Sequence, residues 1–288
     1  MFPYFVCAPT LVLMLVVDFY PILFMLYLSV FQVKLLQPDY KPFVGFDNYL
    51  AGFRDPVFWE STGNSFIWAF SIVLLSLVIG LVQATLLNQD FKGRGFFRAL
   101  FFFPYILPSV VTAMMWKLIF EQNPLGLANH ILISLNLVDQ PVLWLNAKWV
   151  ALFVLVGAGV WKGTGFFAVM LLAGLQAIPT EFYDAGRIDG CSSIQLFFNI
   201  TIPSIKNIIL ITSTVYWIWM FNWLDLIWIL TKGGPGTSTH ILTSYAYAKA
   251  FKSWDFGYAG MLSVVMIIIM ISIVTIMLRR ASEAVESL

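Results

Sequence analysis

The chain has 288 residues, of which 60% are hydrophobic, 17% aromatic and only 11% charged, with a mean hydropathy of +0.86. A soluble domain carries roughly 25% charged residues, so too little charge is present to coat a water-exposed surface, and the class is a polytopic membrane protein. The net charge of +1 gives no argument for nucleic acid or for a strongly basic membrane-surface patch.

A helix needs about 20 apolar residues to cross the hydrocarbon core, and by that measure the sequence predicts six spans. The first lies near 5–31. It lacks a basic n-region and a small-residue cleavage site, and it outruns a signal h-region of about 7–15 residues, so it is expected to be retained. The second lies near 65–87, the third near 99–120, the fourth near 149–177, the fifth near 208–230 and the sixth near 258–278. Pro9 and Pro21 are expected to kink the first span, and Pro104 and Pro108 the third. Barrel strands are excluded, because the runs show no dyad alternation and are twice the length such a strand needs. Cys7 and Cys191, one in the first span and one in a polar passage, give no disulfide framework.

Six spans put both termini on one side. The connecting segments 32–64, 121–148 and 231–257 then share one face, and 88–98 and 178–207 the other. Lys and Arg are evenly divided between the faces, but Lys92, Arg94 and Arg98 crowd one short loop, and Arg279 and Arg280 stop the last span. Their density favours the second face as cytoplasmic. No linker or internal repeat is evident, so the whole chain, 1–288, reads as a single transmembrane domain without support for an inverted-repeat carrier.

Reactive chemistry is not evident. In 157-GAGVWKGT-164 the lysine precedes the glycine, whereas a phosphate loop needs glycine, lysine and then Ser or Thr. Neither a metalloprotease HExxH nor a GxSxG elbow occurs. His130 and His240 read as ordinary residues of first-face loops. Of the ionisable residues inside spans, Asp18 and Lys117 can snorkel, while Lys162 and Asp225 sit deeper. A mid-membrane charge costs roughly 2.5–3.5 kcal/mol on insertion scales. Two readings stay open for this pair: each satisfies the other or a neighbouring carbonyl, or both border a hydrated path. The fifth span, 214-TVYWIWMFNWLDLIWIL-230, favours a path. Trp219, Asn222, Trp223 and Leu226 recur at helical spacing and are expected to share a face. Rings flanked by amide and carboxylate groups suit a sugar, whose C–H faces stack while its hydroxyls hydrogen-bond.

Between the fourth and fifth spans runs 181-EFYDAGRIDGCSSIQLFFNITIP-203. Thr180 is expected to cap a helix with Glu181 and Asp184 in its first turn, and Gly190 to stop that helix after Asp189. Ser192 or Ser193 then caps a second helical stretch that Pro203 ends or kinks. Phe182, Tyr183, Ala185 and Ile188 leave the first helix with apolar surface that a partner protein can cover.

This passage resembles the cytoplasmic "EAA" loop of binding-protein-dependent ABC importer permeases: Glu-Ala-Ala, three residues, Gly, nine residues, Ile-x-Leu-Pro. Here Asp184-Ala185-Gly186, Gly190 and Ile200-Thr201-Ile202-Pro203 keep every spacing, with Asp for Glu, Gly for the second Ala and Ile for Leu. Segments 92–111, 161–179, 230–239 and 245–260 are similar to carbohydrate-importing permeases, the last two to the first permease subunit of the maltose and glycerol-phosphate type. The resemblance implies an all-α type I importer permease fold of six transmembrane helices, with a cytoplasmic coupling helix and both termini cytoplasmic, in the inner or plasma membrane. It implies a transport subunit rather than an enzyme, without a cofactor of its own, ATP and Mg being bound by partners. Those partners are a second permease, two cytoplasmic ATP-binding subunits and an extracytoplasmic solute-binding protein, and the solute is a sugar. It assigns coupling to Asp184, Ala185, Gly186, Asp189, Gly190, Ile200 and Pro203, and leaves Trp219, Asn222, Trp223, Asp225 and Lys162 as path residues. Glycerol phosphate or another solute, and a secondary carrier with its own ion site, are the alternatives.

Overall fold

The computed structural model describes residues 2–36 and 39–286; the side chains of Cys7 and Arg280 lie outside those described, and Cys191 is a free thiol. The elements in chain order are α1 (Phe2–Met14), α2 (Tyr20–Ser29), α3 (Asp47–Arg54), α4 (Pro56–Leu87), α5 (Arg94–Ile106), α6 (Ser109–Ile119), α7 (Leu127–Ser134), α8 (Lys148–Gln176), α9 (Thr180–Ile188), α10 (Ser193–Leu196), α11 (Ile202–Ser204), α12 (Lys206–Phe221), α13 (Leu224–Leu230), α14 (Leu242–Phe251) and α15 (Phe256–Glu286). Among the described residues no strand forms, only isolated bridges pairing Phe31 with Phe43 and Lys34 with Asp255. Ala8–Ser29, Pro56–Leu87, Lys148–Gln176 and Phe256–Met277 are each long and apolar enough to cross a bilayer.

The third span, expected to kink, and the fifth, expected to run unbroken, are both interrupted. Over 99–120 the chain forms α5 and α6, which meet at 95°. Pro108 supplies no N–H and drives Leu107 to an extended ψ of 136°, so the helix stops. The stretch 193–204 and α12 meet at 62° after Pro203, and the expected run over 208–230 divides again at Asn222 and Trp223. Pro21 and Pro203 are handled in another way. Each is preceded by a five-residue π-helical turn, Leu15–Phe19 and Phe197–Thr201, in which the Tyr20 and Ile202 N–H groups donate to the carbonyls of Leu15 and Phe197. The widened turn gives the proline ring room at the carbonyl it would otherwise strike. Pro21 therefore leaves Ala8–Ser29 a continuous span.

The chain packs as two compact units. One comprises Met1–Gly63 with His240–Ile271. Asn48 Nδ2 donates to the Ser29 and Phe31 carbonyls at 2.8 and 3.0 Å, closing the turn after α2. Asp55, between α3 and α4, accepts from Tyr245 Oη at 2.5 Å, Tyr258 Oη at 2.8 Å and the Val57 N–H at 2.9 Å. Lys249 Nζ lies 4.4 Å from the Tyr258 ring centroid and 5.2 Å from that of Tyr245. Burial alone pushes the Asp55 carboxyl up, but the two phenols, the Val57 amide and the Lys249 charge outweigh it and hold it below its ordinary value. His240 is buried with Nδ1 2.9 Å from Ser244 Oγ. Burial, helped by Lys252 and opposed by Glu60, lowers it to about 4. His130, expected in a loop, is exposed within α7.

The second unit, Asn64–Thr239 with Ser272–Leu288, is organised around α8. A Cβ at Gly165 would lie 2.6 Å from the Phe101 carbonyl, so the missing side chain lets α5 lie directly on α8. Trp68 is buried and donates Nε1 to the Met220 carbonyl at 2.9 Å, tying α4 to the end of α12.

The Asp55 cluster joins α3, α14 and α15, and Tyr245→Phe removes a charge-assisted bond worth about 1.5–3 kcal/mol; the expected result is a lower thermal midpoint in detergent, with Asp55→Ala lower still. Because the folded His240 takes its proton only near pH 4 and the unfolded one near 6.5, stability is fully present above about pH 6.5 and falls toward pH 4. Thermal melting across that range is expected to show the loss, and His240→Gln to flatten it.

Candidate functional site

The break in the third span leaves the last carbonyls of α5 without helical partners. Lys162, the central residue of α8, supplies them: Nζ donates to the Tyr105 carbonyl at 3.0 Å and to that of Leu107. An ammonium at a helix C-terminus also lies at the negative end of the macrodipole. Asp225 occupies the first turn of α13 and accepts from Ser109 Oγ, the first residue of α6, at 2.6 Å. The two deep charges are thus held apart, each at a helix end of the opposite sign. Lys162 meets the neighbouring carbonyls that the sequence allowed, and Asp225 is engaged by a hydroxyl.

These breaks border a cavity of about 350 Å³ lined by Tyr105, Ser109, Lys162, Tyr216, Ile218, Trp219, Met220, Asn222 and Trp223. Lys162, Trp219, Asn222 and Trp223 reach it; Asp225 stands one bond behind, on Ser109. The single helical face expected for Trp219, Asn222, Trp223 and Leu226 is not formed. The α12 helix ends at Phe221, Asn222 caps it with Nδ2 on the Ile218 carbonyl at 3.0 Å, and Leu226 is buried on the next helix. Trp223 packs on Trp68 with ring centroids 6.0 Å apart. The helix break at 222–223, rather than helical periodicity, brings Trp219, Asn222 and Trp223 to one cavity. Trp219 is 44% exposed, and its ring lies 5.1 Å from Phe166, which stacks on the buried Tyr216 at 5.5 Å and 21°. Tyr105 and Ser109 were not singled out from the sequence. Their signal is the 105-YILPS-109 stretch, a proline followed by a small hydroxyl inside an apolar run, which marks a break whose new ends need partners.

The polar passage builds a separate corner. Thr180 is the first residue of α9, and Pro179 occupies the cap position expected for Thr180. The Asp184 carboxylate accepts from Arg187 at 2.9 Å on the exposed surface. After Asp189, Gly190 takes φ +79°; its N–H donates to the Arg187 carbonyl at 3.1 Å and that of Cys191 to Gly186 at 2.9 Å. Those two bonds are the Schellman arrangement, and the left-handed φ of Gly190 disfavours a residue with a Cβ. Ser192 and Gln195 form a capping box that starts α10. Tyr183 Oη lies 3.1 Å from Thr201 Oγ1, and buried Gly186 faces Leu196 and Ile200, so α9 folds back on the stretch that leads to Pro203. Phe182 and Ile188 remain 54% and 86% exposed, with Ala185 exposed between them.

Residues 76–285 match the family described as binding-protein-dependent transport system inner membrane component. The chain is 34% identical over 96% of its length, and 92% of the relative's, to the trehalose/maltose transport system permease protein MalF of Thermococcus litoralis. It is 32% identical over 94% of its length, and 87% of the relative's, to the sulfoquinovosyl glycerol transport system permease protein SmoG of Agrobacterium fabrum. The fold is similar to a chain of a bacterial ABC transporter involved in the import of the acidic polysaccharide alginate, at a TM-score of 0.84 and 19% identity, covering 98% of this chain and 95% of that one.

Replacing Lys162 with Met strands the Tyr105 and Leu107 carbonyls at about 1–3 kcal/mol for each group left unpaired. A clear fall in the thermal midpoint is expected, whereas Ser109→Ala, which removes one hydroxyl donor from a carboxylate that is only partly buried, lowers it less.

Proposed function

The chain belongs to the binding-protein-dependent transport system inner membrane components, the permease subunits of ABC importers, and from that premise we propose that it lines half of the path of a sugar or sugar-like solute. The observation that carries the reading is the cavity at the helix breaks. The rings of Tyr105, Trp219 and Trp223 line it with Ser109, Asn222 and Lys162, the mixture of aromatic and hydrogen-bonding groups that a polyhydroxylated ring needs. The naming of relatives for trehalose/maltose and sulfoquinovosyl glycerol uptake supports the same class. One observation favours a second solute type: the Lys162 ammonium lines the cavity, and a sugar or glycerol carrying an anionic group gains a charge-assisted contact there.

In this reading the chain performs no chemistry and holds no cofactor. It pairs with a second permease, receives solute from an extracytoplasmic binding protein, and docks two ATP-binding subunits on the cytoplasmic face, where ATP and Mg are bound. Both termini and the 178–207 loop lie on that face. Phe182, Ala185 and Ile188 form the docking surface of the coupling helix, and Asp184 and Arg187 orient its flank. Asp189 and Gly190 form the rigid corner, and Gly186, Ile200 and Pro203 transmit its movement to α12. Because α12 carries Trp219 and ends at Phe221 with Asn222 as its cap, a shift of the corner moves the cavity wall.

Gly190→Val forces a β-branched residue into the left-handed region. The expected outcome is a complex that still assembles and hydrolyses ATP but loses most solute uptake; full uptake by this variant would remove the coupling role. Trp219→Ala is expected to weaken uptake affinity for a sugar roughly tenfold, the equivalent of about 1.4 kcal/mol. Equal loss for sugars and for unrelated solutes would point to damage rather than recognition. Lys162→Met, assayed for uptake, is expected to penalise anionic solutes more than neutral ones if the second reading holds.

A further inference from the structure

The α9 helix has two opposite sides. Phe182, Ala185 and Ile188 face away from the rest of the chain, while Thr180, Tyr183 and Arg187, near one another at helical spacing, line a cleft of about 640 Å³ on the other side. The far wall of the cleft is Asn88 and Gln89 after α4, Arg94 at the start of α5 and Gln176 at the end of α8. Two arginines, several amides and several hydroxyls line it, and no Asp or Glu does. Each arginine does reach a carboxylate at the rim, Arg94 to Asp90 at 3.3 Å and Arg187 to Asp184 at 2.9 Å. Both carboxylates are solvent-exposed, so these pairs are screened and readily exchanged. Each pair also engages one Nη1 of a guanidinium that carries five N–H donors.

Two guanidinium groups lining a cleft whose walls hold no carboxylate, together with amide and hydroxyl groups, supply the charge and the donors that phosphoryl oxygens accept. We propose that this cleft is a binding site for a phosphoryl group, borne either by a small solute or by a lipid head group, and that its occupation fastens α9 to the ends of α4, α5 and α8. The site lies behind the coupling helix and leaves the Phe182–Ala185–Ile188 surface open, so ligand and docked partner do not compete. A ligand that spans Arg94 and Arg187 joins α9 to α5, and α5 carries at its other end the carbonyls that Lys162 holds. Occupancy therefore acts on the corner and on the cavity wall through one helix. The site itself stands on this geometry; its effect on transport rests on the coupling role proposed for 181–203.

The test uses the whole complex in phosphatidylcholine vesicles and follows hydrogen exchange over 180–196 as inorganic phosphate is added. At ten times the dissociation constant, exchange that needs the cleft to open slows about tenfold. Arg94→Gln and, independently, Gln89→Glu, which places a negative charge in the cleft, are expected to abolish that protection, and Arg94→Lys to restore part of it. Phosphate bound by the ATPase subunits is common to all variants and cancels in the comparison. Protection of the unaltered complex by free phosphate identifies a small solute. Protection that needs phosphatidylglycerol in the vesicles, again lost in Arg94→Gln, identifies a head group. Equal exchange in the unaltered complex and both charge variants under both conditions overturns the site. Protection without any change in ATP-driven uptake overturns its action on coupling while leaving the coupling role of Gly190 to its own test.

Discussion

A backbone carbonyl inside a bilayer has no water to turn to, and the arrangement of this chain follows from how it meets that constraint at Leu107-Pro108. A proline in the middle of a span frees carbonyls on its N-terminal side, and leaving them bare in hydrocarbon costs several kcal/mol each. Lys162 resolves two problems together: its ammonium, itself costly at mid-span, takes the Tyr105 and Leu107 carbonyls. Once that contact exists, α6 is free to leave at 95°, and its first residue, Ser109, reaches Asp225 on a second broken helix. Non-helical backbone at membrane depth is tolerated where it lines a cavity, and here both breaks line the same one.

The corner at 181–203 follows a different logic. It lies outside the long apolar runs, where local signals decide structure without help from distant contacts. A left-handed glycine, two backbone bonds of a Schellman stop and a capping box follow one another within a few residues. Tyr183 and the bare Cα of Gly186 then hold the two arms together. The resulting unit is fixed where it turns and leaves Phe182, Ala185 and Ile188 exposed beside Asp184 and Arg187. Its departure from the common motif at Gly186 has a local explanation, because any side chain there would meet the tips of Leu196 and Ile200.

Pro21, Pro203 and Pro108 have different outcomes, and the difference lies in the turn before each. Pro21 and Pro203 follow π-helical turns that absorb the ring, whereas Pro108 ends its helix outright. Around Pro21 the widened helix continues as the Ala8–Ser29 span, while after Pro203 the chain still turns by 62° into α12; a helix that stops needs a cap from elsewhere, and at Pro108 Lys162 provides it.

Much of this was legible in the residues alone. Hydropathy and length gave the helical membrane class and the approximate spans, because burial in lipid demands apolar runs whatever the packing. The glycine stop, the serine cap and the apolar face of α9 were readable because caps and corners are made by near neighbours in sequence. The residues of the cavity were only half legible. Trp219, Asn222, Trp223 and Lys162 stood out by chemistry, but the periodicity that seemed to join three of them to Leu226 belongs to a helix that ends at Phe221. Likewise, the sequence left open whether Lys162 would pair with Asp225 or with a carbonyl. That choice depends on which helix ends are brought within reach, a matter of the 95° bend, the approach of α5 to α8 at Gly165 and the helix break at 222–223, none of which is encoded within a single segment.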